Sequence, residues 1–128
     1  MLFGKRRFAM GLRRLIESTY SGRMTAWRRV FYKEGGRTVQ KEEAFLTEAP
    51  CALSFGGNYR QRGASLKQEL LPHIRYEARI FASPDLRIPA GSRITVAQDG
   101  VIRDFITCGE GVVYPTHQEI IVSREEEA

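Results

Sequence analysis

The sequence predicts a mainly β protein, a small antiparallel β-barrel of about six strands that follows a basic, helical N-terminal arm. Two observations predict this class. Six or seven short stretches alternate between apolar and polar residues at roughly even spacing, which is typical of a barrel or sandwich. The connections between them are too short for the crossover helices of a parallel sheet. We therefore divide the 128 residues into an arm, residues 1–23, and a β-barrel domain, residues 24–128.

The arm is predicted to form an amphipathic helix. Apolar residues recur at the spacing of one helical face, and basic residues occupy the other faces. Ser21-Gly22 should end the helix. Because an isolated helix of this length is marginal in water, we expect the arm to become ordered only in an assembly. The residues assigned to this assembly arm are Lys5, Arg6, Arg7, Phe8, Leu12, Arg13, Arg14, Leu15 and Ile16.

Positive charge is concentrated at the N-terminal end. Residues 1–32 hold eight basic residues and one acidic residue, Glu17, for a net charge of +7. The whole chain has a net charge of +5, so the remainder sums to −2. A basic arm on a nearly neutral body indicates an acidic or polyanionic partner for the arm.

Two strands joined by a tight turn are predicted at the start of the barrel domain. Residues 24–33 are rich in aromatic and β-branched residues, which favour strands. The turn is placed at Gly35-Gly36, because paired glycines adopt positive φ at little cost. Residues 38–46 form a weaker second strand.

A break in the sheet is predicted at Pro50. A short strand should then run over residues 51–55, since apolar and polar residues alternate there. The residues predicted to share one face of this strand are Cys51, Leu53 and Phe55.

Residues 56–72 form the longest predicted connection. The segment opens with two glycines, ends with a proline and carries one acidic residue, Glu69. Seventeen residues is long for a connection in a compact domain, and such loops are often functional or disordered. We predict a loop that faces a channel or a partner, with a passive surface loop as the alternative. Its basic residues are Arg60, Arg62 and Lys67.

The second half of the chain gives the strongest strand signals. Residues 73–82 alternate, and residues 93–98 place Ile94 and Val96 on one face. Asp99-Gly100 between two such runs predicts a tight hairpin, with residues 101–107 as the returning strand.

A last strand is predicted over residues 117–123, followed by an acidic tail, residues 125–127. Polar residues at its start precede the alternating Ile120 and Val122, and we predict that they form an outer face able to pair with a neighbouring subunit. The residues of this candidate inter-subunit strand are His117, Gln118 and Glu119.

The sequence lacks the motifs of catalysis and metal binding. No nucleophile elbow, phosphate-binding loop or paired-histidine zinc motif occurs. A zinc site could draw on Cys51, Cys108 and the two histidines, His73 and His117, but no pair has ligand spacing. A disulfide is disfavoured for a protein that matures in reducing cytosol, so both cysteines are predicted to be semi-buried apolar residues. We therefore predict a protein that is not an enzyme and holds no cofactor.

Carboxylates do not form a convincing cluster either. Asp85 and Asp99 fall in predicted turns, where turn chemistry alone explains them, and Asp104 and Glu110 show no partner spacing.

Aromatic residues near arginines suggest an alternative function, a nucleic-acid-binding β-barrel with a basic arm. Aromatic rings interleaved with cations can stack on single-stranded nucleic acid. Here Trp27 and Phe31 are predicted to fill the core instead, which leaves Tyr32 and Tyr59 as the remaining aromatics of this pattern.

Three stretches carry a resemblance to a known family. They are PCALSF at residues 50–55, RIFASPDLRIPAGSRITV at residues 79–96, and VYPTHQEIIV at residues 113–122. They resemble small structural proteins encoded by phages and prophages of Gram-positive bacteria. Members of that family carry a Cys-x-Leu-Ser-Phe strand, an Asp-x-x-Ile-x-x-Gly-Ser-x-Ile-x-Val segment and a Tyr-x-x-His-Gln-Glu-Ile strand. The resemblance covers residues 24–122, and in residues 56–72 a glycine-rich, basic stretch replaces the usual strand of the family.

These family members resemble head-completion, or stopper, proteins of long-tailed phages. The resemblance implies a homo-oligomeric ring in the neck, which joins the portal or adaptor to the tail proteins and retains the packaged DNA. It would be assembled in the host cytoplasm, belong to the virion and need no membrane. A tail terminator or another connector ring remains an alternative, and non-specific contact with packaged DNA remains open.

Overall fold

The computed structural model describes residues 11–55, 60–61 and 73–127. Most of them belong to strands of a single antiparallel sheet, and residues 11–17 are helical, here called α1. This confirms the predicted mainly β class. The strands are β1 (Gly22–Glu34), β2 (Arg37–Ser54), β3 (Arg60–Gln61), β4 (His73–Ala82), β5 (Arg93–Gln98), β6 (Val101–Thr107), β7 (Val112–Val113) and β8 (Gln118–Glu127).

The strand pairings return on themselves. The order across the sheet is β3-β4-β2-β1-β5-β6-β8-β7, and β4 also pairs with β8. This last pairing runs along the whole of both strands, from His73 opposite Glu127 to Ala82 opposite Gln118. The pairings β4-β2-β1-β5-β6-β8-β4 therefore form a closed cycle of six strands, and the two-residue strands β3 and β7 are added at its margin.

The core lies on one face of this sheet. Successive residues of a strand point to opposite faces, so every second residue can be buried. Burial of apolar surface, at about 25 cal/mol per Å², is the main term that holds such a core together. The predicted shared faces of Cys51 with Leu53 and of Ile94 with Val96 are confirmed, and all four residues are buried. The core residues are Met24, Ala26, Ala49, Cys51, Leu53, Ala78, Ile80, Ala82, Ile88, Ile94, Val96, Phe105, Ile120 and Val122.

Trp27 and Phe31 do not fill the core as predicted. The inward positions of β1 are taken by Met24 and Ala26, both fully buried. Trp27 is next to Ala26 and so points to the outer face, where it is half-buried. Phe31 is 65% exposed.

The predicted break at Pro50 is wrong, because β2 continues through it to Ser54. The register moves from Met24 opposite Ala49 to Ala26 opposite Leu46, so β2 contains an extra residue at this point. Glu48 has a φ of 54° there. This irregularity is a β-bulge, which bends a strand and is a position where sheets tolerate proline.

Both predicted tight hairpins are confirmed. Gly35 and Gly36 join β1 to β2 with φ of 57° and 78°. Asp99 and Gly100 join β5 to β6 with φ of 54° and 77°. Two successive positive φ angles match the right-handed twist of the flanking strands, which explains why these residue pairs mark the turns.

The last strand is longer than predicted. It was expected to end at residue 123, but β8 continues to Glu127. Residues 125–127 pair with residues 73–75 of β4, so the acidic segment belongs to the sheet.

Candidate functional site

Exposed large apolar side chains fall in three regions of the described chain. The first is helix α1, the second is the outer part of the β1–β2 hairpin, and the third extends from β6 to β8. Clusters of this kind mark interaction surfaces more often than isolated apolar residues do. Region by region they are Leu12 and Leu15; Phe31 and Tyr32; and Val101, Ile102, Ile106, Val112, Val113, Tyr114 and Ile121.

Residues 28–43, here called the ribbon, form a two-stranded extension of the sheet. β1 pairs with β5 only over Arg23–Trp27, and β2 pairs with β4 only over Cys51–Ser54. Within the described chain, the strands of the ribbon therefore pair only with each other. A lone two-stranded hairpin is marginally stable in water, so this extension would gain from a surface to pack on.

Each face of the ribbon carries an aromatic side chain. Phe31 and Tyr32 are successive residues of β1 and point to opposite faces. Phe31 lies opposite Gln40, and Tyr32 lies opposite the half-buried Val39. Their exposed fractions are 65% and 42%, so neither face is covered by the rest of the chain.

Arg93 anchors the base of the ribbon. Its guanidinium donates two hydrogen bonds to the carboxylate of Glu42, at 2.9 and 3.1 Å, and one to Asp104 at 2.9 Å. It also lies 4.8 Å from the centre of the Trp27 ring. These contacts connect β2, β1, β5 and β6 on the outer face of the sheet.

The charges in this network reinforce one another. Hydrogen bonding to Glu42 raises the pKa of Arg93 above its ordinary value. Hydrogen bonding to Arg93 in turn lowers the pKa of Glu42. Thr95 joins the network, because its hydroxyl donates to Asp104 at 2.6 Å and accepts from the Trp27 indole at 3.1 Å. The Thr95 hydroxyl thereby joins the side chains of β1 and β6 on the outer face of the sheet.

A groove of about 640 Å³ runs beside the base of the ribbon. Of its arginines, Arg93 is held by carboxylates, whereas Arg29 and Arg87 form no ion pair with other described residues. One face of the Trp27 ring and its N–H are already used by Arg93 and Thr95. The groove is therefore basic but offers little free aromatic surface. Its principal lining residues are Trp27, Arg28, Arg29, Phe45, Arg87 and Arg93.

The third region, here called the β6–β8 patch, consists of the seven exposed large apolar residues from Val101 to Ile121 named above, which lie on both faces of the sheet. Ile106 pairs with Ser123 of β8, and Val112 of the marginal strand β7 pairs with Glu119. Two of the four carboxylates in residues 99–121 pair with arginines of other strands, Asp104 with Arg93 and Glu119 with Arg79.

The predicted inter-subunit strand has a different place in the structure. Gln118 pairs with Ala82 of β4 on one side and with Val113 of β7 on the other, so its backbone is not a free edge. Its side chain is buried and donates to the carbonyls of Ser83 and Leu86, both at 2.7 Å. The prediction of a polar outer face is therefore wrong for Gln118.

The two neighbours of Gln118 are half-buried. His117 Nε2 lies 3.1 Å from a carboxylate oxygen of Glu119. The ring of Tyr114 stacks on that of His117 at 4.8 Å, and Arg79 donates to Glu119 at 3.2 Å. These side chains make contacts within their own chain.

Helix α1 is attached to the connection between β4 and β5. Arg13 donates to Glu17 at 2.9 Å, and to Ser83 and Asp85 at 2.6 Å each. Hydrogen bonding to Asp85 raises the pKa of Arg13. The expectation that the arm becomes ordered only in an assembly stays a prediction. Of the assigned arm residues, Lys5, Arg6, Arg7 and Phe8 lie outside the described residues.

The basic loop is placed only in part. Arg60 pairs through its backbone with Tyr76 of β4. Arg62 and Lys67 lie outside the described residues. The role predicted for this loop stays a prediction.

The cysteines differ from each other. Cys51 is buried as a free thiol, whereas Cys108 is exposed rather than semi-buried. Within the described chain, no three histidine, cysteine or acidic side chains come together to form a metal site.

Comparisons with protein-family models, curated proteins and solved structures found no match to this chain. No helix among the described residues is both long and apolar enough to cross a membrane.

Proposed function

We propose that this protein is a structural subunit of the bacteriophage neck, of the head-closure or stopper type. Copies of it would form a ring between the portal or adaptor and the tail, in the virion, after assembly in the host cytoplasm. The proposal rests on two different exposed apolar surfaces, the ribbon and the β6–β8 patch. Both belong to a sheet whose strand pairings form a closed cycle. We propose that this closed cycle is a small barrel.

The three motifs of the resemblance support the proposal because they meet in space. Cys51 of the first motif pairs with Ala82 of the second. Gln118 of the third motif donates to the carbonyls of Ser83 and Leu86 in the second. These motif residues make contacts that stabilise the fold. Such a role is expected of motifs in a structural protein, where no catalytic geometry has to be kept.

Neighbouring genes give a first test. Genes for a portal protein and a major capsid protein beside this one would support a neck protein. A chromosomal setting without virion genes would count against it.

Deletion of the gene from the encoding phage gives the direct test. We expect heads that package DNA and then lose it, together with unattached tails, and rescue by a plasmid copy. Tails of abnormal length would instead indicate a tail terminator. Infectious particles of normal yield would show that the protein is not part of the neck.

The basic groove favours one alternative of another class, a nucleic-acid-binding module. Arg29 and Arg87 could then contact phosphates. Binding to duplex DNA should in that case fall steeply as salt rises, because bound phosphates release counterions. A neck subunit should instead form rings without DNA and show weak affinity for free duplex.

A further inference from the structure

We propose that the ribbons of neighbouring copies pair edge to edge, with β2 of one copy antiparallel to β1 of the next. This inference rests on the proposed function, because it names the contact that would join subunits into a ring. The contact is a β-strand addition, in which backbone hydrogen bonds supply the affinity and side chains select the partner.

Both long edges of the ribbon lack a strand partner within the described chain. β5 lies beside β1 only as far as Trp27, so residues 28–34 pair with β2 alone. β4 lies beside β2 only from Cys51 onward, so residues 37–43 pair with β1 alone. In an antiparallel pair every second residue directs its N–H and C=O away from its partner strand. Each edge of the ribbon therefore presents backbone groups that a further strand can pair with.

The register found within the ribbon can be repeated between copies. In the single chain Glu34 lies opposite Arg37, and Arg28 lies opposite Glu43. Two residues directly opposite each other direct their backbone groups either both towards each other or both away. The same register between copies therefore sets the outward groups of β2 opposite the outward groups of β1, as a further ladder requires.

This register also places unlike charges opposite each other between copies. Residues directly opposite each other share a face of the sheet, where unlike charges are favourable and like charges are not. The two lysines of the ribbon, Lys33 and Lys41, would lie opposite the uncharged Thr38 and Val30. The unlike pairs, with the β1 residue first, are Arg28–Glu43, Arg29–Glu42 and Glu34–Arg37.

Part of this charge is already balanced within one chain. Arg93 holds Glu42 at 2.9 Å, and Arg28 lies 4.0 Å from Glu43. Exposed ion pairs also contribute little to stability. The charges therefore serve to select this register over registers that oppose like charges, and the affinity comes from the backbone ladder and the aromatic rings.

The exposed aromatic rings of the ribbon would gain neighbours on both faces. Phe31 would lie beside Gln40 of the next copy on one face, and Tyr32 beside Val39 on the other. The two rings are 65% and 42% exposed in the single chain. Cross-strand pairs of aromatic and β-branched residues stabilise sheets, so the added strand would reduce the exposed apolar area of each ribbon.

Pairing of unlike edges uses both edges of every copy through one repeated contact. Such a contact is heterologous, and repeated by rotation it closes into a ring. A two-fold contact between like edges, β1 with β1 or β2 with β2, leaves one edge of each copy in the dimer unused. The pairing of β2 with the next β1 is therefore the arrangement that suits a ring.

Single-cysteine variants test the contact, because a link between them can form only between copies. Lys33→Cys and Thr38→Cys replace two exposed residues that lie opposite each other in the ribbon. Both variants also carry Cys108→Ser, which removes the exposed native thiol and leaves the buried Cys51. They are co-expressed from plasmids in a host infected by the encoding phage, from which the gene itself has been deleted.

Mild oxidation of the purified particles should link the two variants into disulfide-bonded dimers. Opposite residues of paired strands have Cα atoms about 4.5–5.5 Å apart, which a disulfide can span. Diagonal neighbours are about 7–8 Å apart, which is too far, so the link reports the register. Each variant expressed alone should stay unlinked. A second pair, Phe31→Cys with Gln40→Cys, applies the same test two residues along the strands.

The matched control is Lys33→Cys with Ile102→Cys, a position that is 72% exposed on β6, outside the ribbon. Particles that contain both variants of each pair but show no link above this control would overturn the inference and leave the neck proposal standing. Links formed by Gln40→Cys alone would indicate a two-fold contact between β2 strands and would also overturn it. Infectious particles that lack the protein altogether would overturn the neck proposal, and this inference with it.

Discussion

The side-chain amide of Gln98 forms two hydrogen bonds with the backbone of Leu53. Its Oε1 accepts the Leu53 N–H at 2.8 Å, and its Nε2 donates to the Leu53 carbonyl at 3.0 Å. β1 starts at Gly22, which pairs with Cys51, so Leu53 lies beyond the end of that strand. The amide of Gln98 therefore takes the place of a further residue of β1.

Replacement of this amide should weaken the sheet. We expect Gln98→Leu to lower the free energy of unfolding by about 1–3 kcal/mol, because it leaves two backbone groups of Leu53 unpaired. Urea denaturation measures the change, and Gln40→Leu on the exposed ribbon is the matched control. Equal stabilities of the two variants would show that water replaces the amide at no cost.

The same contact restricts Gly22. A Cβ there would lie 2.9 Å from Gln98 Oε1 and 3.0 Å from the Cys51 carbonyl oxygen. We expect Gly22→Ala to cost about 1–3 kcal/mol, since backbone cannot move aside cheaply.

Gly11 provides the control for this substitution. It lies in α1 with open space around its Cα, so Gly11→Ala should stabilise the protein by up to about 1 kcal/mol through helix propensity. A Gly22→Ala variant as stable as the wild type would show that Gln98 can rotate out of the way.

Local patterns predicted part of this fold, and contacts distant in sequence explain the rest. The Asp99-Gly100 turn and the alternation of Ile94 and Val96 are set by residues within a few positions of one another, and both were predicted. The continuation of β2 through Pro50 depends on a bulge opposite β1, which no local signal marks. Burial of Gln118 likewise depends on carbonyls more than thirty residues away.

The candidate surfaces were missed for a related reason. Aromatic residues in a strand predict burial, but whether they are buried depends on how far the neighbouring strands extend. β5 contacts β1 only as far as Trp27, so Phe31 and Tyr32 extend past the sheet. The sequence carries no signal for this, since the predicted hairpin strands, residues 24–33 and 38–46, are no longer than the predicted strand over residues 73–82.

The two thiols should differ in reactivity. Burial raises the pKa of Cys51 from 9.0 to about 11 and hides its sulfur. We therefore expect one thiol, Cys108, to react with a maleimide in the native protein at pH 7, and two after unfolding.

The free energy of unfolding should depend on pH because the pKa of Cys51 is raised in the folded protein. Because the folded pKa of Cys51 lies above the unfolded one, stability should fall as pH rises from about 9 towards about 11. Cys51→Ala should remove that part of the dependence in urea denaturation across this range. Rapid labelling of Cys51 at pH 7 would mean that the sheet around Cys51 opens readily.

The ion pair between Arg93 and Glu42 should stabilise the base of the ribbon. We expect Arg93→Met to cost about 1 kcal/mol at pH 7, because it removes a bidentate pair and a cation–π contact. Arg87→Met, which removes an equal charge without a described ion pair, is the control.

Acid should reduce this difference in stability. The folded pKa of Glu42 is lowered from 4.5 by Arg93, so the pair stabilises the protein above that value and is lost as pH falls below it. The difference in stability between the wild type and Arg93→Met should therefore narrow in acid to the part that the cation–π contact contributes. A gap that stays constant at low pH would show that Arg93 acts through packing on Trp27 alone.

Two substitutions of Gln118 can separate loss of a donor from loss of shape. Gln118→Leu leaves the Leu86 carbonyl without its donor and the Ser83 carbonyl with only a 3.3 Å bond from the Leu86 N–H. We expect a loss of about 2–3 kcal/mol that does not change with pH.

Gln118→Glu can donate only when its carboxyl is protonated, and burial favours that neutral form. Its stability should consequently be highest in acid, where its single O–H can replace one of the two hydrogen bonds of Gln118, and fall as pH rises through the raised pKa of the new carboxyl. Urea denaturation from pH 4 to pH 8 checks both variants. Parallel curves for the two would show that the contact depends on side-chain volume rather than on the hydrogen bonds that join the second and third motifs.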